Sequence, residues 1–146
     1  MVDEHILAAG GWDNEIYLYD VEYGRIVESF RAHDDSVSCL LWLKKGTNDG
    51  EVFIWEYRSK DLLNKIRIHS SPVRGVCMLT SDRIVTVCGG GDMTVTDLNV
   101  LNTVFEKNMG GEIYSLCCDG FNVVWVGDSE GQLLQWDLIA VTRIVL

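Results

Sequence analysis

Four stretches of the chain repeat one template: an acidic residue, usually a small or polar partner, then alternating apolar positions closing on an aromatic and an acid or amide. They are DNEIYLYD (13–20), DGEVFIWE (49–56), DMTVTDLN (92–99) and EGQLLQWD (130–137). The opening acids Asp13, Asp49, Asp92 and Glu130 are 36, 43 and 38 residues apart. Self-similarity at such a period means one supersecondary unit copied along the chain. Asp or Glu followed by Asn or Gly is hairpin chemistry, because these residues tolerate the left-handed backbone of a tight turn. The stretch after each turn alternates with period two and is rich in β-formers, so each is a strand leaving a hairpin.

A second register recurs with the first. Asp13 lies twenty residues before His33, and Asp49 twenty before His69. Each histidine precedes a new apolar run by four positions, in His33-DDS-Val37 and His69-SSP-Val73, and Met109-GGE-Ile113 repeats the pattern with methionine first. A small residue follows two places after each apolar head: Cys39, Gly75 and Ser115. Each unit reads as four short antiparallel strands, at 73–78, 83–88, 94–98 and 101–106 in the third. A sheet that short cannot bury both faces alone, so it stacks face to face on its neighbours around an axis. Runs such as VFIW and VVWV lack polar alternation, as strands covered on both sides do. The expected fold is all-β, a partial, open β-propeller of about four blades over segments 1–33, 34–69, 70–109 and 110–146. The first blade is incomplete. The second is shortened, because only twelve residues separate Val37 from Asp49, against nineteen from Val73 to Asp92. A second strand and its preceding turn do not both fit where LKKGTN stands, which reads as an internal deletion.

These residues resemble the WD-repeat family of β-propellers. Its closing dipeptide stands as Trp136-Asp137, Trp55-Glu56, Tyr19-Asp20 and Leu98-Asn99, and its glycine–histidine pair as Ala32-His33 and Ile68-His69. In that family a loop histidine, a hairpin aspartate and a strand tryptophan share a buried hydrogen-bonded network. The resemblance places His33 and His69 as the histidine, Asp13, Asp49 and Asp92 as the aspartate, and Trp55 and Trp136 as the tryptophan. The unit with His69 and Asp92 has Leu98 in the tryptophan's place. WD propellers usually close with about seven blades, so four units leave both ends open to self-association. The runs WDNEIYLYDVEYGR and HDDSVS are similar to the BEACH-domain WD-repeat proteins associated with neutral sphingomyelinase activation. That resemblance implies a cytoplasmic adaptor in receptor-linked sphingomyelinase and ceramide signal transduction, with the propeller engaging a receptor's cytoplasmic tail.

Composition narrows the function classes. The 146 residues are 47% apolar with one proline, which argues against disorder, and their net charge is −10. Phosphate backbones and anionic lipid repel such a chain unless a local basic patch intervenes, so no nucleic-acid partner is expected. Residues 44–74 are such a patch, at +3 against −13 for the remainder. They hold the less favoured possibility of RNA or phosphoinositide binding. No apolar run approaches a bilayer crossing, and the N-terminus lacks a basic, apolar leader. Five cysteines without a Cys-x-x-Cys pair are expected to be free, buried thiols of a reducing compartment, with no metal.

No catalytic constellation is evident. The histidines at 33 and 69 sit at repeat-equivalent positions, and the Gly89–Gly91 run precedes a strand, so it lacks the helix N-terminus that holds phosphate. The expected function is a non-catalytic protein-binding scaffold without cofactor. Its candidate contact residues lie on the turns and inter-unit loops: Trp12, Asp34, Asp35, Asn48, Ser70, Ser71, Arg74, Asp128 and Ser129. The alternative comes from Trp55-Glu56-Tyr57-Arg58, which resembles the Trp-Asp-x-Arg box of substrate receptors of cullin-RING ubiquitin ligases.

Overall fold

The computed structural model describes residues 5–31, 37–41, 44–47, 50–55, 59 and 61–138. Among them, four antiparallel sheets account for all the regular structure. The first holds β1 (Ile6–Gly10), β2 (Glu15–Asp20) and β3 (Arg25–Arg31). The second holds β4 (Val37–Leu41), β5 (Lys44–Thr47), β6 (Glu51–Trp55) and β7 (Leu62–Arg67). The third holds β8 (Val73–Thr80), β9 (Arg83–Cys88), β10 (Asp92–Asp97) and β11 (Asn102–Asn108). The fourth holds β12 (Ile113–Cys118), β13 (Val123–Asp128) and β14 (Leu133–Asp137). Strands pair with their sequence neighbours in every sheet, and the leading strands β1, β4, β8 and β12 touch one another in succession. The sheets therefore stack as blades of an open, partial propeller.

Local geometry follows the template. Each of its four turns carries one left-handed residue beside the template acid: Asn14, Gly50, Gly91 and Gly131, with φ of 72°, 76°, 91° and 79°. The small residues two places after the apolar heads mark β-bulges, since the ladder slips between Val37 and Cys39, between Val73 and Gly75, and between Ile113 and Ser115. At Gly75 the reason for smallness is visible, because an added Cβ would lie 2.6 Å from the Leu116 Cβ of the next blade.

Burial separates the middle of the stack from its ends. In β9 and β10, the positions Ile84–Cys88 and Met93–Thr96 are buried without alternation, so the third sheet is covered on both faces. In β2 and β13 buried and half-buried positions alternate, so the first and fourth sheets are covered on one face. The largest core packs Leu79, Val85, Val87, Met93 and Val95 of the third sheet against Ile113, Val124 and Val126 of the fourth. Fully burying a side chain of this size contributes about 1.5–3 kcal/mol, so this interface is a main source of stability.

Two expectations are corrected. The second blade does hold its second strand: β5 is four residues long and pairs with both β4 and β6. The blade is therefore shortened without losing a strand. The cysteines are not all free either. Cys77 on β8 and Cys118 on β12 form a disulfide across adjacent blades, with Cα atoms 6.2 Å apart. The pairing was invisible in the sequence because 41 residues separate the partners and only the stacking of blades brings them together. Cys88 is a buried free thiol, whereas Cys117 is an exposed one, on the face of β12 opposite Cys118. Non-reducing digestion should therefore yield a cross-linked peptide pair joining Cys77 to Cys118. Rapid alkylation of both in the folded, unreduced protein would contradict it.

Candidate functional site

The template turns and the loops between blades place the candidate contact residues. The first turn is closed by the Gly11 N–H donating to the Glu15 carbonyl at 2.9 Å. Asp13 accepts from the Glu15 N–H at 3.3 Å and from the Tyr17 hydroxyl. That hydroxyl holds Asp13 below the usual carboxylate range, and the carboxylate in turn pushes Tyr17 up to about 12. The carboxylate is thus committed to the turn, and Trp12 at its tip is 90% exposed.

The third turn is tied to the preceding inter-blade loop. Gly89 donates to the Pro72 carbonyl and Gly90 to the Ser71 hydroxyl, both at 2.9 Å. In the fourth turn Asp128 accepts from the Glu130 and Gln132 N–H groups at 3.0 and 2.8 Å, and Ser129 N–H donates to the Glu112 carbonyl at 2.9 Å. Ser71 and Asp128 therefore support backbone. Ser70, Arg74 and Ser129 are exposed. Asp34, Asp35 and Asn48 lie outside the described residues.

Sequence reasoning missed a neighbour of Arg74. Tyr114 on β12 is 57% exposed, and its hydroxyl donates to Glu112 at 2.8 Å. That hydrogen bond raises the Tyr114 pKa, and Arg74 acts on the same phenol in the opposite direction. Arg74, Glu112 and Tyr114 thus form one charged and aromatic patch where the third and fourth blades meet. Tyr114 lies within the register shift between Ile113 and Ser115.

The family-type network takes a particular form at His69. The His69 ring is buried, and its Nε2 shares a 2.8 Å hydrogen bond with the buried Thr86 hydroxyl. Burial pushes His69 down to about 4, partly offset by Asp92. Asp92 Oδ1 accepts from the Asn108 amide at 2.7 Å, while Oδ2 accepts weakly from the Cys88 thiol at 3.8 Å. Thr86 was not anticipated, although a threonine inside the apolar run IVTVC is its signature. Trp136 packs half-buried on the large core. Trp55 packs at a tilt against Phe30 with centroids 5.8 Å apart, and its buried Nε1 finds no acceptor among the described residues. His33 and Asp49 lie outside the described residues.

Known proteins agree with this architecture. A family model described as the anaphase-promoting complex subunit 4 WD40 domain matches residues 1–45. Meiotic fizzy-related protein 1 of Schizosaccharomyces pombe is 30% identical over 116 residues, covering 73% of this chain and 28% of that protein. BEACH domain-containing protein B of Arabidopsis thaliana is 25% identical over 113 residues, covering 68% of this chain and 4% of that protein. The chain thus spans under a third of either relative. A solved chain of the mitotic checkpoint complex superposes with a TM-score of 0.82 at 18% identity, over 99% of this chain and 48% of that one. Template, stacked sheets and relatives converge: this is a WD40-repeat chain folded as an open, partial β-propeller.

Proposed function

We propose that the chain is a non-catalytic scaffold that binds a protein partner on its turn rim. The observation that carries this reading is Trp12, a large aromatic 90% exposed at the tip of a turn whose own polar groups are satisfied internally. Aromatic anchors held on rigid supports are the residues that dominate interface energetics. The family-level resemblance supports a receptor's cytoplasmic tail as the partner and cytoplasmic sphingomyelinase and ceramide signalling as the setting, and a BEACH-domain protein among the relatives supports that direction. Titration of the chain with the receptor-tail peptide should give saturable binding, weakened at least about tenfold in Trp12→Ala. Absence of binding retires the receptor assignment, and binding that ignores the substitution retires Trp12 as the anchor.

The ubiquitin-ligase alternative has less support. Of the Trp55–Arg58 box, Trp55 is committed to packing on Phe30, and residues 56–58 lie outside the described residues. In the basic sector, Lys65 is paired with Glu51 at 2.8 Å and stands over the Phe53 ring at 4.8 Å, which removes one cation from an RNA or phosphoinositide patch.

A further inference from the structure

We propose that the Cys77–Cys118 disulfide is a redox-operated latch that sets how firmly the fourth blade is held against the third. The bond joins β8, the leading strand of one blade, to β12, the leading strand of the next. Among the described residues it is the only cross-link between blades. The same two strands press together beside it, where Gly75 leaves room for Leu116. Packing makes this joint the one worth latching. The third sheet is covered on both faces, whereas the described residues cover the fourth on one face only. A blade held through one face opens at less cost than one held through two. Its hold is the apolar contact of Ile113, Val124 and Val126 with Val85, Val87, Met93 and Val95. That contact does not involve sulfur, so loss of the bond loosens the fourth blade without dissolving the fold.

Access separates a switch from a fixed staple. Cys77 and Cys118 are both only partly buried, which gives a thiolate from solution a route that a fully enclosed bond denies it. No described thiol of the chain is placed to do the same work. Successive side chains of a strand point to opposite faces, so Cys117 lies across β12 from the bond, and Cys88 is buried and turned to Asp92. The reductant is therefore external, and its chemical class is a dithiol. One of its thiolates attacks a sulfur of the pair, the S–S bond breaks, and the other cysteine leaves as a thiolate that takes up a proton. The second thiol of the reductant then displaces the remaining cysteine from the mixed disulfide. Two electrons and two protons pass to Cys77 and Cys118, and the dithiol departs as its own disulfide. A disulfide oxidant runs the exchange in reverse. With the bond closed, β12 stays tethered to β8 even when the fourth sheet opens, so opening gains less chain freedom. Arg74 and Tyr114 stand on these two strands, so the latch also sets how firmly their patch is assembled.

Native-state hydrogen exchange of the whole chain, before and after treatment with dithiothreitol, tests this directly. Amides of β12, β13 and β14 should exchange roughly 100-fold faster after reduction, while those of β9 and β10 change little. Oxidised glutathione should restore the protection, and the melting temperature should fall by roughly 10 °C on reduction. Cys77→Ser should show the fast exchange without reductant and no further response to it, whereas Cys117→Ser should behave as the parent does. The response of the parent chain decides the matter even where Cys77→Ser fails to fold. A bond that dithiothreitol leaves intact in the folded chain, exchange across 113–137 that ignores reduction, or an equal response from Cys77→Ser overturns the assignment. Loss of the whole fold on reduction overturns it too, since the bond would then be a staple.

Discussion

Gly50→Ala should cost the fold about 3 kcal/mol or more, read as a lower urea midpoint at unchanged slope. Gly50 sits at φ 76°, where an L side chain costs roughly 1–2 kcal/mol. An added Cβ would also lie 2.6 Å from the His69 carbonyl carbon, nearer still to its oxygen, and 3.0 Å from the Ser71 oxygen. All three are backbone atoms, which cannot turn aside as a side chain does. The same glycine's carbonyl accepts the Ile68 and His69 N–H groups at 3.0 Å, so relief of the clash pulls apart the joint between the second blade and the loop leading to the third. Gly110→Ala is the internal comparison. Its φ is 85°, but nothing lies within 4 Å of an added Cβ, so only the backbone penalty of about 1 kcal/mol applies. Equal losses in the two variants would show that the close approach at Gly50 contributes nothing.

That joint shows what a sequence discloses and what it withholds. The template turns were legible because a left-handed position is filled most readily by Gly or Asn, and the strands were legible because period two survives in any sheet with one covered face. Stacking was legible where alternation fails, as in β9, since an unbroken apolar run needs cover on both sides. Contacts between blades were not. Cys77 meets Cys118, Gly75 meets Leu116 and Arg74 acts on Tyr114 only because β8 and β12 lie side by side. Such juxtapositions depend on the rotation from one sheet to the next, and no local pattern encodes it.

The contact residues divide in the same way. Asp13, Ser71 and Asp128 have the composition of a binding rim, yet each spends its oxygen on a nearby N–H. A turn acid has its own backbone donors within two to four residues, and these compete with any partner from solution. Trp12 instead presents a large aromatic surface to solvent from the turn tip. Trp12 is therefore the more informative of the sequence-level choices, and the patch of Arg74, Glu112 and Tyr114 is the addition that needed coordinates.

Stability should fall by about 3 kcal/mol as the pH drops from 6.5 to 4, with His69 as the cause. Its folded pKa is pushed down to about 4, chiefly because burial penalises the cation. Above pH 6.5 both folded and unfolded chains hold the ring neutral, and the group contributes no pH dependence. Below 6.5 the unfolded chain takes up a proton that the folded one refuses, so each pH unit costs about 1.4 kcal/mol until the folded ring also protonates. Carboxylates of ordinary pKa remain ionised over the upper part of this window, so the slope between pH 6.5 and 5 reports histidine alone. His69→Gln, with an amide to meet Thr86, should be less stable at neutral pH yet flatter across that interval. A slope unchanged by the substitution would assign the acid sensitivity elsewhere and remove His69 from the buried, proton-excluding position on which the network between β9 and β10 depends.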